Sequence, residues 1–235
     1  MKINSLQLFS ILFSHYGALN WWPMDYEYHK KHGSDPRFEV IIGAILTQNT
    51  TWSNVEKAID ALKQNGKLNI NSIAECDIDL LKQLIRSSGF FNQKAVRLQT
   101  IAQYLKNNYQ SDLTVFFNQE LLDLRDELLT MNGIGPETAD SILLYAGSKP
   151  IFVVDAYTKR LFSRLQIPIE SSYDQIQKFV QNEFYHQYEN EKLPSLYNEF
   201  HALIVIHAKQ FCKKKPQCNG CSLMNYCSFY SSLLG

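Results

Sequence analysis

Apolar residues recur at three- and four-residue steps along most of the chain, which is the period of a helix with one buried face. Leu6, Phe9 and Phe13 repeat at this spacing and predict an amphipathic helix near the start. The same pattern predicts further helices over 38–46, 52–62, 78–86, 93–105, 121–130, 137–145, 156–165, 173–188 and 195–211. The periodicity therefore indicates a mainly helical protein.

Strand-like segments are scarce. The best candidate covers 151–154, lies between Pro150 and Asp155, and is too short to found a sheet. Turn-forming pairs such as Asn65-Gly66 and Ser88-Gly89 separate the helical patterns. We therefore expect an all-α fold with about nine or ten helices.

Composition narrows the class of protein. The chain has 235 residues, 45% of them hydrophobic and 20% charged, which allows one large or two small domains and argues against disorder. No apolar run of about 20 residues is present, so no membrane span is expected. Gln7 and Ser10 interrupt the first apolar stretch, so a secretory signal is not expected and we place the protein in the cytoplasm, with the nucleoid.

Net charge gives no information about a nucleic-acid partner. Lys and Arg total 23, and Asp and Glu also total 23, so the formal charge is zero. Any binding of phosphate groups must therefore come from a local arrangement of donors and cations.

Four of the five cysteines form the pattern C-x5-C-x2-C-x5-C near the end of the chain, at Cys212, Cys218, Cys221 and Cys227. Four thiolates suit zinc or a [4Fe–4S] cluster. Zinc ribbons usually have two C-x2-C pairs, and only one is present, so an iron–sulfur cluster is favoured and zinc stays open. The fifth, Cys76, is interpreted as an ordinary semi-buried residue.

A glycine hairpin joins two of the predicted helices. Gly133 and Gly135 flank Ile134, and Pro136 suits the first position of the next helix. The hairpin N–H groups would then point outward at a helix N-terminus, which favours an anion, while Ile134 would point inward. The motif could be a plain helical corner, but its G-I-G-x-x-x-A form favours nonspecific binding to a DNA backbone.

Asp155 ends the apolar stretch 151–154 and begins a helix. By itself it could be a simple N-cap that accepts backbone hydrogen bonds. Beside a DNA-binding hairpin, a carboxylate at a helix start next to basic residues is a candidate catalytic group.

These motifs, in this order, resemble the endonuclease III superfamily of helix-hairpin-helix DNA glycosylases. The segments LTQNT at 46–50 and SGFFNQKA at 88–95 resemble two further motifs of that family. The resemblance implies a monomer with a six-helix barrel at 21–149 and a second helical domain of 1–20 and 150–235 that carries a [4Fe–4S] cluster. It also implies an active cleft between the two domains, and double-stranded DNA with a damaged base as partner.

One departure concerns the chemistry. Bifunctional members have a lysine two positions after the second hairpin glycine, and Glu137 stands there in this chain. A carboxylate cannot form an imine, so strand cleavage by that route is not expected. Asn20-Trp21-Trp22-Pro23 and the residues around Glu137 resemble most closely the 3-methyladenine glycosylase branch.

The resemblance also assigns site residues. Asp155 would be catalytic, Gln48 and Phe90 would be wedges that fill the gap left by an extruded base, and the four cysteines would hold the cluster. The base pocket would consist of Trp21, Trp22, Pro23, Trp52 and Glu137. Contacts to the DNA backbone would come from Gly133, Ile134, Gly135, Lys94, Lys159, Lys213, Lys214 and Lys215.

Structural alternatives stay open for several of these residues. Phe90 could be a core aromatic, Trp21 and Trp22 could form a packing plug between domains, and Lys213 to Lys215 could be a solvated turn. His201 and His207 are interpreted as packing or supporting groups.

The function expected from the resemblance is removal of an alkylated base, of the 3-methyladenine kind, by hydrolysis of its N-glycosidic bond without strand cleavage. Two alternatives stay open. One is a monofunctional glycosylase for mismatched uracil or thymine or for oxidised bases. The other is a non-catalytic iron–sulfur protein that binds DNA.

Overall fold

The fold is all-helical in the computed structural model, which describes residues 3–167 and 172–233. In these ranges no strand occurs, and the expected all-α class is confirmed. The helices are Ser5–Tyr16 (α1), Tyr26–His32 (α2), Pro36–Leu46 (α3), Trp52–Gln64 (α4), Ile70–Ala74 (α5), Ile78–Leu84 (α6), Phe91–Tyr109 (α7), Leu113–Phe117 (α8), Leu121–Leu129 (α9), Pro136–Ser141 (α10), Ala156–Arg164 (α11), Tyr173–Tyr185 (α12), Leu193–Gln210 (α13) and Ser228–Ser231 (α14).

Shorter helical turns complete the backbone. The segments Arg86–Ser88, Asn190–Lys192 and Met224–Tyr226 are 3₁₀ turns, and α10 continues as the π-helical turn Ile142–Ala146. In the part of the chain that the structure describes, none of the helices combines the length and the apolar character that a bilayer crossing requires.

The chain divides into two compact units. The terminal unit consists of Met1–Trp21 and Ser148–Gly235, and the central unit consists of Trp22–Gly147. The bounds expected from the sequence, at 21–149, lie within a residue or two of this division. Each unit has its own buried apolar core.

In the terminal unit, α1 packs against α12 and α13. Its buried residues are Ser5, Leu8 and Leu12, whereas Phe13 is 42% exposed. The expected helix is therefore present. Phe9 packs against Phe184 and Phe200, but the fully buried apolar residues of the helix are Leu8 and Leu12. Asn4 caps the helix through a reciprocal capping box with Gln7.

The segment 151–154 is buried but does not form a strand. Two glutamine side chains of α12 make the hydrogen bonds to this backbone that a neighbouring strand would make in a sheet. The N–H of Phe152 donates to Oε1 of Gln181 at 2.9 Å, and Nε2 of Gln177 donates to the carbonyl of Phe152 at 2.7 Å. These bonds satisfy buried backbone groups and hold the segment that leads into Asp155.

In the central unit, α3 is the most deeply buried helix. Residues 38–46 are all buried, and all of them except Glu39 are apolar, as expected for a helix that is enclosed on every side. It packs against α4, α7, α10 and the turn that follows α10. Helices α2, α5, α8 and α14, none of which has more than seven residues, were not predicted from the periodicity.

Candidate functional site

The glycine hairpin lies between α9 and α10 in the central unit. Gly133 has a φ of 82°, in the left-handed region that favours glycine. Ile134 is 5% exposed and its N–H donates to the carbonyl of Met131 at 3.1 Å. Ile134 therefore points inward as predicted, and it anchors the turn to the core.

A second constraint at Gly133 is the close approach of an arginine from α7. A Cβ at this position would lie 1.9 Å from Nε of Arg97. Arg97 donates to Oε1 of Gln48 at 2.5 Å, and Nε2 of Gln48 donates to the carbonyl of Gly133 at 3.0 Å and to Oγ1 of Thr138 at 2.8 Å. These contacts tie the hairpin to the segment that follows α3.

Gly135 and Pro136 form the start of α10 and are exposed. Gly135 is the N-cap, and a Cβ placed on it would have no atom within 4 Å. The positive end of the helix and an unobstructed backbone suit an anion such as a phosphate group. Glu137 lies in the first turn of α10 and is exposed.

In the terminal unit, Asp155 is the N-cap of α11. Its Oδ1 accepts hydrogen bonds from the N–H of Thr158 at 2.7 Å and from the Thr158 hydroxyl at 2.9 Å. Its Oδ2 lies 3.6 Å from Nε2 of His201 on α13, and the side chain is 11% exposed. The N-cap interpretation is thus correct as geometry, but it uses only one of the two carboxylate oxygens.

The surroundings of Asp155 keep it ionised. Burial raises the pKa of the carboxyl group, but contact with His201 and the two bonds from Thr158 outweigh burial, so the pKa lies below its ordinary value of 3.8. The carboxylate therefore stays negative at neutral pH. A lowered pKa means that this ionised group stabilises the fold above pH 3.8, and that its contribution is lost as the pH falls through the folded-state value.

Trp21 is linked to Asp155 through His201. The ring of Trp21 stacks on His201 with centroids 6.4 Å apart and an interplanar angle of 21°. Nζ of Lys209 lies 6.0 Å from the centroid of the Trp21 ring. One predicted pocket residue and the predicted catalytic residue therefore belong to one cluster of the terminal unit.

The other pocket residues form a cluster in the central unit. Trp22 packs edge-on against Trp52 with centroids 5.1 Å apart, and it lies the same distance from Tyr145. Pro23 and Trp52 line an open cavity of about 550 Å³. A Cβ at Gly43 would meet Trp22 at 2.9 Å, so the indole lies directly on the backbone of α3.

The four cysteines near the end of the chain line one cavity of the terminal unit, as the sequence spacing suggested. An N–H of Arg164 donates to Sγ of Cys212 at 3.1 Å, and Nε2 of His207 lies 3.4 Å from Sγ of Cys221. Among the described residues, no three His, Cys, Asp or Glu side chains are arranged to hold a single metal ion. Four thiols around a shared cavity are ligands of the kind that zinc or an iron–sulfur cluster uses.

The lysines between the first two cysteines are exposed. Arg164 donates hydrogen bonds to the carbonyls of Lys213 at 2.7 Å and Lys214 at 3.0 Å. These bonds hold the backbone of the turn that carries the three lysines. Lys159 is also exposed, with Nζ 6.0 Å from the centroid of the Tyr173 ring. These exposed ammonium groups can reach a polyanion.

Comparison with known proteins identifies the family. A family model described as HhH-GPD superfamily base excision DNA repair protein matches residues 42–184, more than half of the chain. The chain belongs to the HhH-GPD superfamily. This result confirms the resemblance to the endonuclease III group that the hairpin, the aspartate and the cysteine loop indicated.

Individual relatives agree with this assignment. The chain is 44% identical over 233 residues to a Methanocaldococcus jannaschii protein provisionally named a DNA repair glycosylase, covering 97% of this chain and 99% of that protein. It is 30% identical over 196 residues to the endonuclease III of Sulfolobus acidocaldarius, covering 82% of each.

A solved structure of similar size comes from H. pylori. It is a 3-methyladenine DNA glycosylase bound to 1,N6-ethenoadenine, with 30% identity to this chain and a TM-score of 0.69. The match covers 88% of this chain and 98% of that one. This member of the HhH-GPD superfamily therefore resembles a 3-methyladenine DNA glycosylase in both fold and sequence.

One site prediction is wrong. Lys94 was expected to contact phosphate, but its side chain is only 1% exposed. Its Nζ donates to the carbonyl of Leu46 at 2.8 Å and to the carbonyl of Ser88 at 2.7 Å. The ammonium group is therefore hydrogen-bonded inside the central unit and is not exposed at its surface.

The two predicted wedge residues differ from each other. Phe90 is 63% exposed and has a φ of 47°, so the alternative of a core aromatic is wrong. Gln48 is half-buried and uses its side-chain amide to bind the hairpin. In this conformation Gln48 braces the hairpin, and its role as a wedge stays a prediction.

Sequence reasoning missed Arg97 and understated His201. Arg97 follows Lys94 by one helical turn, so its place on the same face of α7 could have been read from the spacing. No spacing links His201 to Asp155, because the two are far apart in the chain and only packing brings them together.

We expect Gly133→Ala to destabilise the free protein by about 1–3 kcal/mol, because the added Cβ meets Arg97 and the φ is left-handed. Gly135→Ala is the matched control and should change the stability by less than about 0.5 kcal/mol, since its Cβ meets no atom. Urea unfolding of the three proteins measures the difference. Equal stability of the two variants would contradict the assigned contact with Arg97.

Proposed function

We propose that this protein is a monofunctional DNA glycosylase that removes a positively charged, alkylated purine such as 3-methyladenine from duplex DNA. The observation that carries the proposal is the Asp155 carboxylate, which is held ionised at the start of α11 and keeps one oxygen outside the N-cap bonds. Membership of the HhH-GPD superfamily and the likeness to the H. pylori enzyme support it.

Asp155 would act on the sugar. As the bond between base and sugar breaks, the sugar gains positive charge, and a fixed carboxylate stabilises that charge in a site that excludes water. The same carboxylate can orient or deprotonate the attacking water. A cationic base is already a good leaving group, so no strong general acid is required.

Aromatic faces would recognise the base. An alkylated purine that carries positive charge is attracted to tryptophan faces by roughly 0.5–2 kcal/mol for each ring. Trp21, Trp22 and Trp52 with Pro23 are the candidates, and Trp21 already stacks on the imidazole that contacts Asp155. A neutral base would lack this attraction.

The glycine hairpin and the exposed lysines would bind the phosphate backbone of DNA. Gly133, Ile134 and Gly135 present the start of α10, while Lys159 and Lys213 to Lys215 add positive charge. Such contacts supply affinity without sequence preference and weaken steeply with salt.

Cys212, Cys218, Cys221 and Cys227 would hold a [4Fe–4S] cluster. The group would supply a rigid anchor for the lysine turn, which Arg164 also braces through the Lys213 and Lys214 carbonyls. The common cavity and the arginine next to Cys212 support this proposal.

The central experiment is single-turnover excision from duplexes that carry 3-methyladenine, 1,N6-ethenoadenine, 8-oxoguanine, or uracil or thymine opposite guanine. We expect alkylated adenine to be released fastest. Asp155→Asn should slow release by about 10²–10³-fold, because it removes the charge but can keep the cap. Asp174→Asn, an equal change of charge in the first turn of α12, is the control.

Release of uracil or oxidised guanine in preference to alkylated adenine would replace the proposed substrate class. Excision by Asp155→Asn at the rate of the unaltered protein would remove Asp155 from the mechanism. Excision of no lesion at all would favour the non-catalytic alternative.

Glu137 predicts the absence of strand cleavage, because a carboxylate cannot attack the sugar to form an imine. Borohydride added during turnover should therefore trap no covalent protein–DNA adduct, while an endonuclease III run in parallel should give one. A trapped adduct would show that another amine performs the step.

The cluster proposal predicts a brown protein with broad visible absorbance and equal amounts of iron and acid-labile sulfide. Cys221→Ser should lose the colour, whereas Cys76→Ser should keep it, because Cys76 lies in the central unit. Stoichiometric zinc in the unaltered, freshly purified protein would contradict the proposal.

A further inference from the structure

Lys94 is a buried cation that binds two carbonyl groups from different segments. Leu46 is the last residue of α3, and Ser88 ends the 3₁₀ turn before α7. The two bonds measure 2.8 and 2.7 Å. A buried ammonium group is unfavourable unless it is hydrogen-bonded, so these carbonyls and Lys94 require each other.

Both segments lead directly to residues at the predicted DNA surface. Gln48 follows Leu46 by two residues, and Phe90 follows Ser88 by two residues. The Gln48 side chain donates to the carbonyl of Gly133 in the hairpin, and Phe90 is 63% exposed. Lys94 thus fixes the backbone immediately before each of them.

The backbone at Phe90 needs such support. Its φ of 47° is a conformation that an aromatic residue rarely adopts. The carbonyl of Phe90 accepts hydrogen bonds from the N–H groups of Gln93 and Lys94, both at 3.1 Å. Lys94 therefore holds this turn through its main chain as well as its side chain.

Arg97 extends the arrangement by one turn of α7. It binds Oε1 of Gln48 and lies against Gly133. The first turns of α7 therefore organise three segments of the central unit, namely the end of α3, the turn before α7 and the hairpin.

We infer that Lys94 is a positioning residue, which holds Gln48 and Phe90 ready to enter the duplex and does not itself touch DNA. The inference rests on the proposed function, because it assumes that base extrusion is a step of the reaction.

The lowered pKa of the Lys94 ammonium group agrees with a role inside the protein. Burial, and secondly the nearby Arg97, lowers the pKa of Lys94 to about 8. A group that served as a phosphate contact would be hydrated and accessible in the free protein.

The test compares Lys94→Met with Lys106→Met, which makes the same change on the same helix at a lysine paired with Glu75 on the surface. Three quantities are measured: the salt dependence of binding to undamaged duplex, the fluorescence of 2-aminopurine as a reporter of base extrusion, and single-turnover excision. Extrusion is measured in an Asp155→Asn background, so that it does not depend on the chemical step.

For Lys94→Met we expect an unchanged salt slope and an extrusion signal lowered about tenfold, with excision lowered in parallel. Lys106→Met should change none of these. Phe90→Ala should lower extrusion as well, and adding it to Lys94→Met should give little further loss, because both act on the same step.

A salt slope reduced by about one unit would show a phosphate contact and overturn the inference. Full extrusion by a folded Lys94→Met protein would overturn it equally. If that variant does not fold, Lys94→Arg, which keeps charge and donors but displaces them, should lower extrusion at an unchanged salt slope, and normal extrusion would count against positioning. Failure of the unaltered protein to excise any lesion would instead contradict the proposed function.

Discussion

An ionised carboxylate that is nearly removed from water is the constraint on which the terminal unit depends. Such a charge is unfavourable unless neighbouring groups compensate for lost hydration. Thr158 supplies two hydrogen bonds to Oδ1, and His201 approaches Oδ2. The segment 151–154 and the long helix α13 therefore have to meet at Asp155, and glutamine side chains of α12 hold that segment in place.

The central unit also contains a buried charge that needs hydrogen-bond partners, and there the charge is positive. Lys94 is buried, and two backbone carbonyls that lie far apart in the chain surround its ammonium group. An apolar residue would fill the space but would leave both carbonyls without these bonds. In each unit, a buried charge thus joins segments that are separate in the chain, and in each unit those segments lead to candidate functional residues.

The candidate functional residues are distributed over both units. The hairpin, Gln48 and Phe90 belong to residues 22–147, while Asp155 and the cysteine loop belong to the terminal unit. HhH-GPD membership is shown for the chain as a whole, and the alkylated base is the proposal that the aromatic residues and the retained carboxylate support. Glu137, exposed at the start of α10, is the residue that sets the proposed chemistry apart from strand-cleaving relatives.

Much of the fold and several features of the candidate site could be predicted from the sequence. Helical periodicity, the short spacing of the hairpin glycines and the cysteine pattern are local, and local spacing fixes secondary structure and brings near neighbours together. Those signals predicted the all-α fold, the inward Ile134, the N-cap at Asp155 and the family. They did not single out Leu8 and Leu12 as the buried residues of α1, because that helix has apolar residues on more than one side and its packing against α12 and α13 decides which are buried.

Only the tertiary structure decided what each polar side chain meets. Lys94 looks like any lysine beside a DNA-binding motif, and it is internal because α3 and the turn before α7 converge on it. His201 gains its contact with Asp155 from the packing of α13 near the start of α11, and Arg97 gains its contacts from the hairpin. Sequence determines periodicity and local turns, whereas the burial and pairing of a charge depend on residues distant in the chain, which only the folded chain brings together.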